Sequence, residues 1–339
     1  VADEEGVWLT LEDVVLSWNR RALLRCAIDV LELSADRIIV ARPPISEDSG
    51  PAPEAQPFAL PELPVSISLD LLNIEEIELG EAFLGEPISL SVTGSAQLAD
   101  GQGAVNIVAQ RLGEKTGRFE IDGAYVNETK NLDILLNLEE GPAGIAAQLI
   151  GLPGEPAIGL TLEADAPLDD FAATLAIATE GQDRLNGTFS LRDVNGQREI
   201  ALDVGGDISP LFEPAYQGCF GIDAQLAARV VQTNDGRIDI PAIELDAGRV
   251  TLSGALQIGR QGWPELIDLT GGITPVGSEP VLLPLTGPET FVNGMDLAIN
   301  YDAAQADDWR ADIGISGFSR PGLGIDRLSL AGGGILQPG

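Results

Sequence analysis

The chain has 339 residues and a formal net charge of −34, from 53 acidic and 19 basic residues, and it contains no histidine. Such a charge disfavours binding to nucleic-acid phosphates and electrostatic docking on anionic lipid, and the lack of histidine removes the commonest general base and metal ligand. Aromatic residues make up only 5% of the chain, which argues against a surface that stacks sugars or bases.

The first part of the chain alternates apolar and polar residues, which is typical of β-strands with one apolar and one polar face. The runs 7–16, 27–33 and 37–42 have this pattern. The stretch 43–64 follows them with seven prolines, and it predicts a flexible loop.

The alternation then continues almost without pause and predicts about twenty strands in all, joined by hairpin turns such as Asp100-Gly101. The later runs are 65–72, 74–79, 88–98, 104–112, 118–126, 132–138, 157–164, 171–179, 184–191, 198–204, 222–232, 237–245, 249–258, 266–273, 295–303, 309–318 and 327–335. Only 140–151 and 208–221 have the composition of short helices, and we expect them to lie against the edge or mouth of a sheet.

These elements predict an all-β chain, because no crossover helix recurs between strands as a doubly wound fold requires. Propeller repeats are also missing from the sequence. The pattern favours one long antiparallel sheet, which must curl to hide its apolar side. Curled part way, it forms an open half-barrel with an apolar groove. We expect residues 1–339 to be a single elongated segment of a longer chain, and no run of apolar residues approaches the roughly 18 needed to cross a bilayer.

The strands with the clearest alternation supply candidates for the lining of such a groove. An aliphatic lining of this kind suits lipid acyl chains, since it holds them without hydrogen bonds. The alternative is that the same side chains pack the core of a closed sandwich. The candidate lipid-binding residues are Ile88, Leu90, Val92, Val105, Ile107, Val250, Leu252, Leu256 and Ile258.

The sequence offers little for covalent chemistry, and we expect no enzyme activity, no metal and no cofactor. Adjacent acids such as Glu75-Glu76 and Glu139-Glu140 point to opposite faces when they lie in strands. Cys26 and Cys219 match no zinc spacing. They form either two free thiols or one long-range disulfide, and their apolar surroundings favour free thiols.

The opening stretch WLTLEDVVLSWNRRALLRCAIDVLELSADRIIVARPP (8–44) contains a Trp-containing strand, the pattern W-x-R-x-A-L-L-R and a strand that ends in Arg-Pro. With these features it resembles the first periplasmic stretch of the TamB family, the inner-membrane-anchored part of the translocation and assembly module. The segments 72–101, 138–164, 237–256 and 276–318 are similar to later stretches, in the same order. Both cysteines stand where small or aromatic residues would be expected, which argues against a family-wide role for them.

The resemblance implies an AsmA-like, bridge-type lipid transfer protein with a "β-taco" groove, in the periplasm of a Gram-negative bacterium. It implies phospholipid as the ligand, moved between inner and outer membranes, and from the net charge we expect no nucleic acid as a partner. It also implies an N-terminal anchor in the inner membrane and a C-terminal part that meets a TamA-like outer-membrane barrel, both beyond this sequence. The alternative is a scaffold for outer-membrane protein assembly and secretion that templates incoming strands.

Overall fold

A computed structural model describes residues 1–3, 6–43, 60–61, 63–194, 196–275, 279–283 and 287–336. The chain is mostly β, with 66% of residues in strands and 7% in helices, and 21 strands form a long mixed sheet that is not closed. The all-β class and the long open sheet are thus confirmed. Most of the loop predicted at 43–64 lies outside the described residues.

The chain separates into two compact units. Unit 1 comprises residues 1–168 and 179–181, and unit 2 comprises 169–178 and 182–339. The strands of unit 1 are β1 (Ala2–Asp3), β2 (Gly6–Val7), β3 (Leu9–Glu12), β4 (Val15–Asn19), β5 (Ala27–Val40), β6 (Ser66–Leu79), β7 (Ile88–Ala99), β8 (Gln102–Arg111), β9 (Gly117–Val126), β10 (Asn131–Glu140) and β11 (Ile158–Pro167).

One pair in unit 1 departs from the predicted antiparallel pattern. Strands β5 and β6 run parallel, with Val30 opposite Leu69 and Ile38 opposite Ile77. A parallel pair requires a long connection, whereas an antiparallel hairpin needs only a tight turn. The proline-rich stretch supplies that connection, so the sheet is mixed.

Strands β5 and β6 are also longer than predicted, because each joins two predicted strands into one of 14 residues. Strand β6 has register shifts against β7 between Leu69 and Leu72 and between Ile74 and Ile77. Each bulge inserts a residue and resets the alternation. The apolar residues therefore stay on one face although the sequence pattern breaks twice.

Unit 2 contains a run of hairpins. Its strands are β12 (Asp170–Thr179), β13 (Gln182–Val194), β14 (Gln197–Gly206), β15 (Ala224–Gln232), β16 (Ile238–Ala247), β17 (Val250–Ile258), β18 (Pro264–Ile273), β19 (Val281–Leu282), β20 (Phe291–Val292), β21 (Gly294–Asp302), β22 (Ala306–Arg320) and β23 (Leu323–Ile335). The short strands β19 and β20 were not predicted. They contribute Val281 and Val292 to a small buried cluster with Cys219 and Ile273.

The helices are short. Helix α2 (Ile145–Leu149) lies inside the segment 140–151 predicted to be helical, and α1 (Glu81–Leu84) was not predicted. The second predicted segment, 208–221, forms two 3₁₀ turns instead of an α-helix, at Ser209–Leu211 and Gln217–Cys219. Its prolines lack the N–H that a longer helix would use. A further 3₁₀ helix spans Arg20–Arg25.

Candidate functional site

Strand register in unit 1 aligns apolar side chains in rows that cross several strands. One row runs through Ala96, Val105, Gly123, Ile134 and Ala164 on β7 to β11. Its neighbours on the same face are Gly94, Ile107, Ile121, Leu136 and Leu162, then Val92, Ala109, Phe119, Leu138 and Leu160. We call this surface, together with the residues of β3 to β6 in register with it, the unit 1 apolar face.

The opposite face of the same strands is mainly polar, although Val108 and Leu135 also lie on it. Ser95 lies opposite Asn106, which lies opposite Asp122, and the Asn106 amide donates a hydrogen bond of 2.9 Å to the Asp122 carboxylate. Since neighbouring residues of a strand point to opposite faces, one strand presents hydrocarbon to one side and hydrogen-bonding groups to the other. The sheet of unit 1 is therefore amphipathic across its thickness.

The unit 1 candidates Leu90, Val92, Val105 and Ile107 all lie on the apolar face and are half-buried. The fifth candidate, Ile88, is only 3% exposed and so packs against protein. A sealed core would bury all these side chains, as protein interiors do. Their partial exposure leaves hydrocarbon surface that a ligand can cover.

Unit 2 repeats the arrangement over eight neighbouring strands. The row through the middle of the unit contains Val204, Leu226, Leu245, Leu252, Gly271, Leu297, Ile313 and Leu330. The next row contains Leu202, Ala228, Ile243, Gly254, Leu269, Ile299, Ala311 and Gly332. We call this surface the unit 2 apolar face.

The candidates Val250, Leu252, Leu256 and Ile258 lie on the unit 2 apolar face. Leu252 is opposite Leu245 on one side, and Leu256 and Ile258 are opposite apolar residues of the neighbouring β16. All four are half-buried. Register thus brings the candidates of each unit together on one face of that unit.

Helix α2 lies against one end of the unit 1 apolar face. Residues of the helix and of the face border an open cavity of about 330 Å³. It is lined by Leu90, Ala109, Arg111, Gly117, Arg118, Phe119, Leu138, Glu140, Ile145, Ala146 and Leu149. The helix is held by Glu140, whose carboxylate accepts a hydrogen bond of 2.6 Å from the Ala146 N–H. Most lining side chains are apolar, so this cavity suits a hydrocarbon segment.

A cation borders this cavity. The side chain of Arg111 is 7% exposed and contacts Glu86 at 2.8 Å, and Lys115 contacts the same carboxylate at 2.7 Å. Hydrogen bonds from Lys115 and then Arg111 lower the pKa of Glu86, because they stabilise its charged form. The Arg111 Nη1 is buried without a hydrogen-bond partner, so this cation keeps unused donor capacity.

The opposite end of the unit 1 apolar face is partly covered by Leu60. Its backbone N–H donates to the Asn127 side-chain oxygen at 2.9 Å, and the Asn127 amide donates back to the Leu60 carbonyl at 2.8 Å. The Leu60 side chain fills the space over Gly103, since a Cβ added at Gly103 would lie 2.7 Å from it. Leu60 therefore covers this end of the unit 1 apolar face in part.

Sequence reasoning missed the edge of the unit 1 apolar face. Leu11 lies opposite Ile38, Leu16 opposite Leu33, and Trp18 opposite Val30, which extends the face onto β3 and β4. Leu11, Leu16 and Trp18 are exposed. The alternation of 7–16 predicted that these strands have an apolar face. It did not show that they lie at the edge of the sheet with exposed side chains, because that depends on which strands pair.

Other hollows in each unit are polar. One of about 460 Å³ in unit 1 is lined by residues such as Ser95, Asn106 and Asp122, and one of about 510 Å³ in unit 2 by residues such as Asp268, Asn300 and Arg310. Carboxylates and amides must keep hydrogen-bonding partners, so these hollows do not suit acyl chains.

The cysteines and adjacent acidic residues considered for catalysis or metal binding lie apart from one another. Both cysteines are free thiols, Cys26 exposed and Cys219 buried. Glu139 is exposed on one face of β10, and Glu140 is buried on the other. Among the described residues, no group of three or more acidic or cysteine side chains is placed to hold a metal ion.

In the described part of the chain, no helix has the length and apolar character needed to cross a membrane. Comparison with family models, curated proteins and solved structures found no match to the chain.

Proposed function

We propose that the chain is a lipid-transfer segment that holds phospholipid acyl chains along its apolar faces. The observation that carries this proposal is the continuity of the apolar rows across consecutive strands, combined with side chains that are half-buried. A closed core would pack the same rows out of solvent contact. An acyl chain covers the exposed hydrocarbon without requiring any hydrogen bond.

The energetics suit a ligand that moves. Each methylene removed from water contributes roughly 0.8 kcal/mol, so a few methylenes bind weakly and a whole tail binds well. Leu, Ile, Val and Ala recur along the rows, with glycines such as Gly123 and Gly271 between them, and the rows offer no polar group that would fix a tail at one position. The proposed mechanism is passive holding and sliding, with no covalent step.

The resemblance to the TamB family supports a proposal for where the chain acts and which membranes it connects. We propose that the chain is a TamB-like protein of the periplasm and that it moves phospholipid between the inner and outer membranes. Its partners would then be an inner-membrane anchor and a TamA-like barrel. The acidic residues on the polar faces would keep the long sheet soluble.

The direct experiment is native mass spectrometry, with lipid extraction, on the purified chain. The chain is expressed in a Gram-negative host and isolated without detergent. We expect mass adducts that match phospholipid and are lost on organic extraction. A chain that carries no phospholipid, and takes up none from added vesicles, would contradict the proposal.

A second candidate function is a scaffold for assembly of outer-membrane proteins. The observation that favours it is the position of β23. This strand pairs with β22 along its length, with Leu323 opposite Arg320 at one end and Ile335 opposite Asp308 at the other. Most residues of β23 are exposed, and an edge strand can accept an added strand. A photocrosslinker at Ser329 would then capture an unfolded barrel protein, whereas a crosslinker at the β22 residue Ser316 would not.

A further inference from the structure

The 3₁₀ helix Arg20–Arg25, which we call the basic hook, is firmly held at both ends. The Asn19 side-chain oxygen accepts a hydrogen bond of 3.1 Å from the Arg21 N–H. At the other end Cys26 has a left-handed backbone, and its N–H donates to the Leu23 carbonyl at 3.2 Å. Ala22 is 0% exposed, so the hook is packed down through this residue.

Although ordered, the basic hook exposes its large apolar side chains. Leu24 is 88% exposed and Leu23 is 50% exposed, and Trp18, just before the hook, is 38% exposed. Ordering exposed leucines in water brings no stabilisation to the fold by itself. Exposed apolar side chains grouped in this way mark an interaction surface.

The basic hook also concentrates positive charge in an acidic chain. It contains three of the 19 basic residues, Arg20, Arg21 and Arg25, and all three are exposed. Arg25 is 4.0 Å from Asp29, a long contact that is worth little at an exposed site. The guanidinium groups are thus accessible, and their planar donors match phosphate oxygens.

We propose that the basic hook docks on the surface of an anionic phospholipid bilayer. A bilayer surface satisfies both features together, because phosphates lie at the level of the arginines and hydrocarbon lies below for Leu23 and Leu24. The net charge of −34 opposes docking as a whole. However, charges beyond about 10 Å are largely screened at 0.1 M salt, so a surface touching the hook responds mainly to its three arginines and to Asp29 beside Arg25.

Docking at this place has a consequence for unit 1. Trp18 and Leu16 belong to the unit 1 apolar face through their register with Val30 and Leu33. The exposed edge of that face therefore adjoins the basic hook along the chain. The proposal stands without the lipid-transfer function, since a hook can dock whether or not the face holds lipid.

The test is flotation of the full chain with vesicles of phosphatidylcholine containing 30% phosphatidylglycerol, compared with phosphatidylcholine alone. We expect binding to the anionic vesicles that weakens as salt rises from about 50 to 500 mM. The double variant Arg20→Gln/Arg21→Gln should bind about 30-fold more weakly. The variant Leu24→Asp should lose about tenfold or more.

Matched controls come from exposed residues outside the basic hook. Ile222 is 82% exposed in unit 2, and the Arg310 side chain is 78% exposed; Ile222→Asp and Arg310→Gln should leave vesicle binding unchanged. Circular dichroism of each variant verifies folding, which these exposed positions should preserve.

Equal binding to both kinds of vesicle, no binding by the unaltered chain, or insensitivity to the hook variants would overturn the proposal. Self-association without vesicles that Leu24→Asp abolishes would assign the basic hook to a second copy of the chain and overturn it as well. A chain that docks on vesicles but carries no lipid would refute the lipid-transfer function alone.

Discussion

Replacement of Leu252 by aspartate tests whether the unit 2 apolar face holds lipid. Leu252 lies between Leu245 and Gly271 in a row that crosses the unit. The glycine leaves no side chain on one side, so an acyl chain crossing there relies on Leu252. Aspartate removes this contact and places a carboxylate among hydrocarbon, where an unpaired charge is costly.

The magnitude follows from the contact that is lost. A leucine on the face covers about two methylenes of a tail, which are worth about 1.6 kcal/mol at roughly 0.8 kcal/mol each. Desolvation of the new carboxylate adds to this loss. We therefore expect at least about 2 kcal/mol, which is about 30-fold in lipid occupancy at this position.

The assay measures phospholipid per protein by quantitative lipid extraction after identical purification. The matched control is Ser253→Asp, which adds the same charge one residue away on the polar face, where Ser253 hydroxyl contacts the Thr270 hydroxyl at 3.1 Å. The control should keep its lipid. Equal lipid in both variants, with both folded by circular dichroism and urea unfolding, would refute the assignment of this face.

Three further predictions concern the fold. Gly254→Ala should destabilise unit 2 by about 3 kcal/mol in urea unfolding, because its φ is +146° and a Cβ would lie 1.8 Å from a carbonyl oxygen across the strand pair. A thiol reagent should modify Cys26 quickly and Cys219 slowly, since burial raises the pKa of the Cys219 thiol. Asp235→Asn should lower the urea midpoint near pH 7 and have no effect below about pH 2, because hydrogen bonding, first from Thr233, lowers the pKa of Asp235 to about 2.

For each of these three predictions, one result would contradict the physical reason behind it. Gly324, where an added Cβ meets nothing within 4 Å, should tolerate alanine; equal costs at Gly254 and Gly324 would refute the steric argument. Two thiols that react at the same rate would contradict the burial of Cys219. Because the pKa of Asp235 is lower in the folded chain than in the unfolded chain, its charged form stabilises the fold at pH values above the unfolded pKa. This stabilisation is lost as the pH falls through the folded pKa. A difference at pH 1 as large as the difference at pH 7 would contradict it.

Strict alternation made the hairpins of unit 1 predictable. Strands β7 to β10 begin and end within two residues of their predicted bounds. The turn at Asp100-Gly101 has positive φ at both residues, 50° and 71°, as a two-residue hairpin requires. Here the local sequence determines both the strand period and the reversal of direction.

Strands β5 and β6 show what a local pattern does not determine. Their parallel pairing depends on a connection that passes outside the hairpin pattern, and the bulges of β6 look in sequence like the end of one strand and the start of another. Two-residue strands such as β19 and β20 are too short to show any period.

Part of the candidate site was also predictable from the sequence, and part of it was not. Alternation identified which side chains share a face, and register places Leu90, Val92, Val105 and Ile107 together. The composition of 140–151 predicted a short helix against the edge of a sheet, and α2 lies at one end of the face. The sequence did not reveal that Ile88 is buried, because its burial depends on packing from elsewhere in the chain. In the sequence, residues 20–25 stood out only as part of the segment that resembles the TamB family. The exposure of Leu24 was not predictable, because it depends on how the 3₁₀ helix packs through Ala22.

The central claim is that lipid lies on the apolar faces of the units, and site-specific photocrosslinking on unit 1 tests it most directly. A photoreactive residue is placed at Val105 on the unit 1 apolar face, and in a second protein at the neighbouring Asn106 on the polar face. In cells labelled with radioactive phosphate, we expect a labelled phospholipid adduct at position 105 and none at position 106. Equal labelling at both positions, or labelling at 106 alone, would contradict the account.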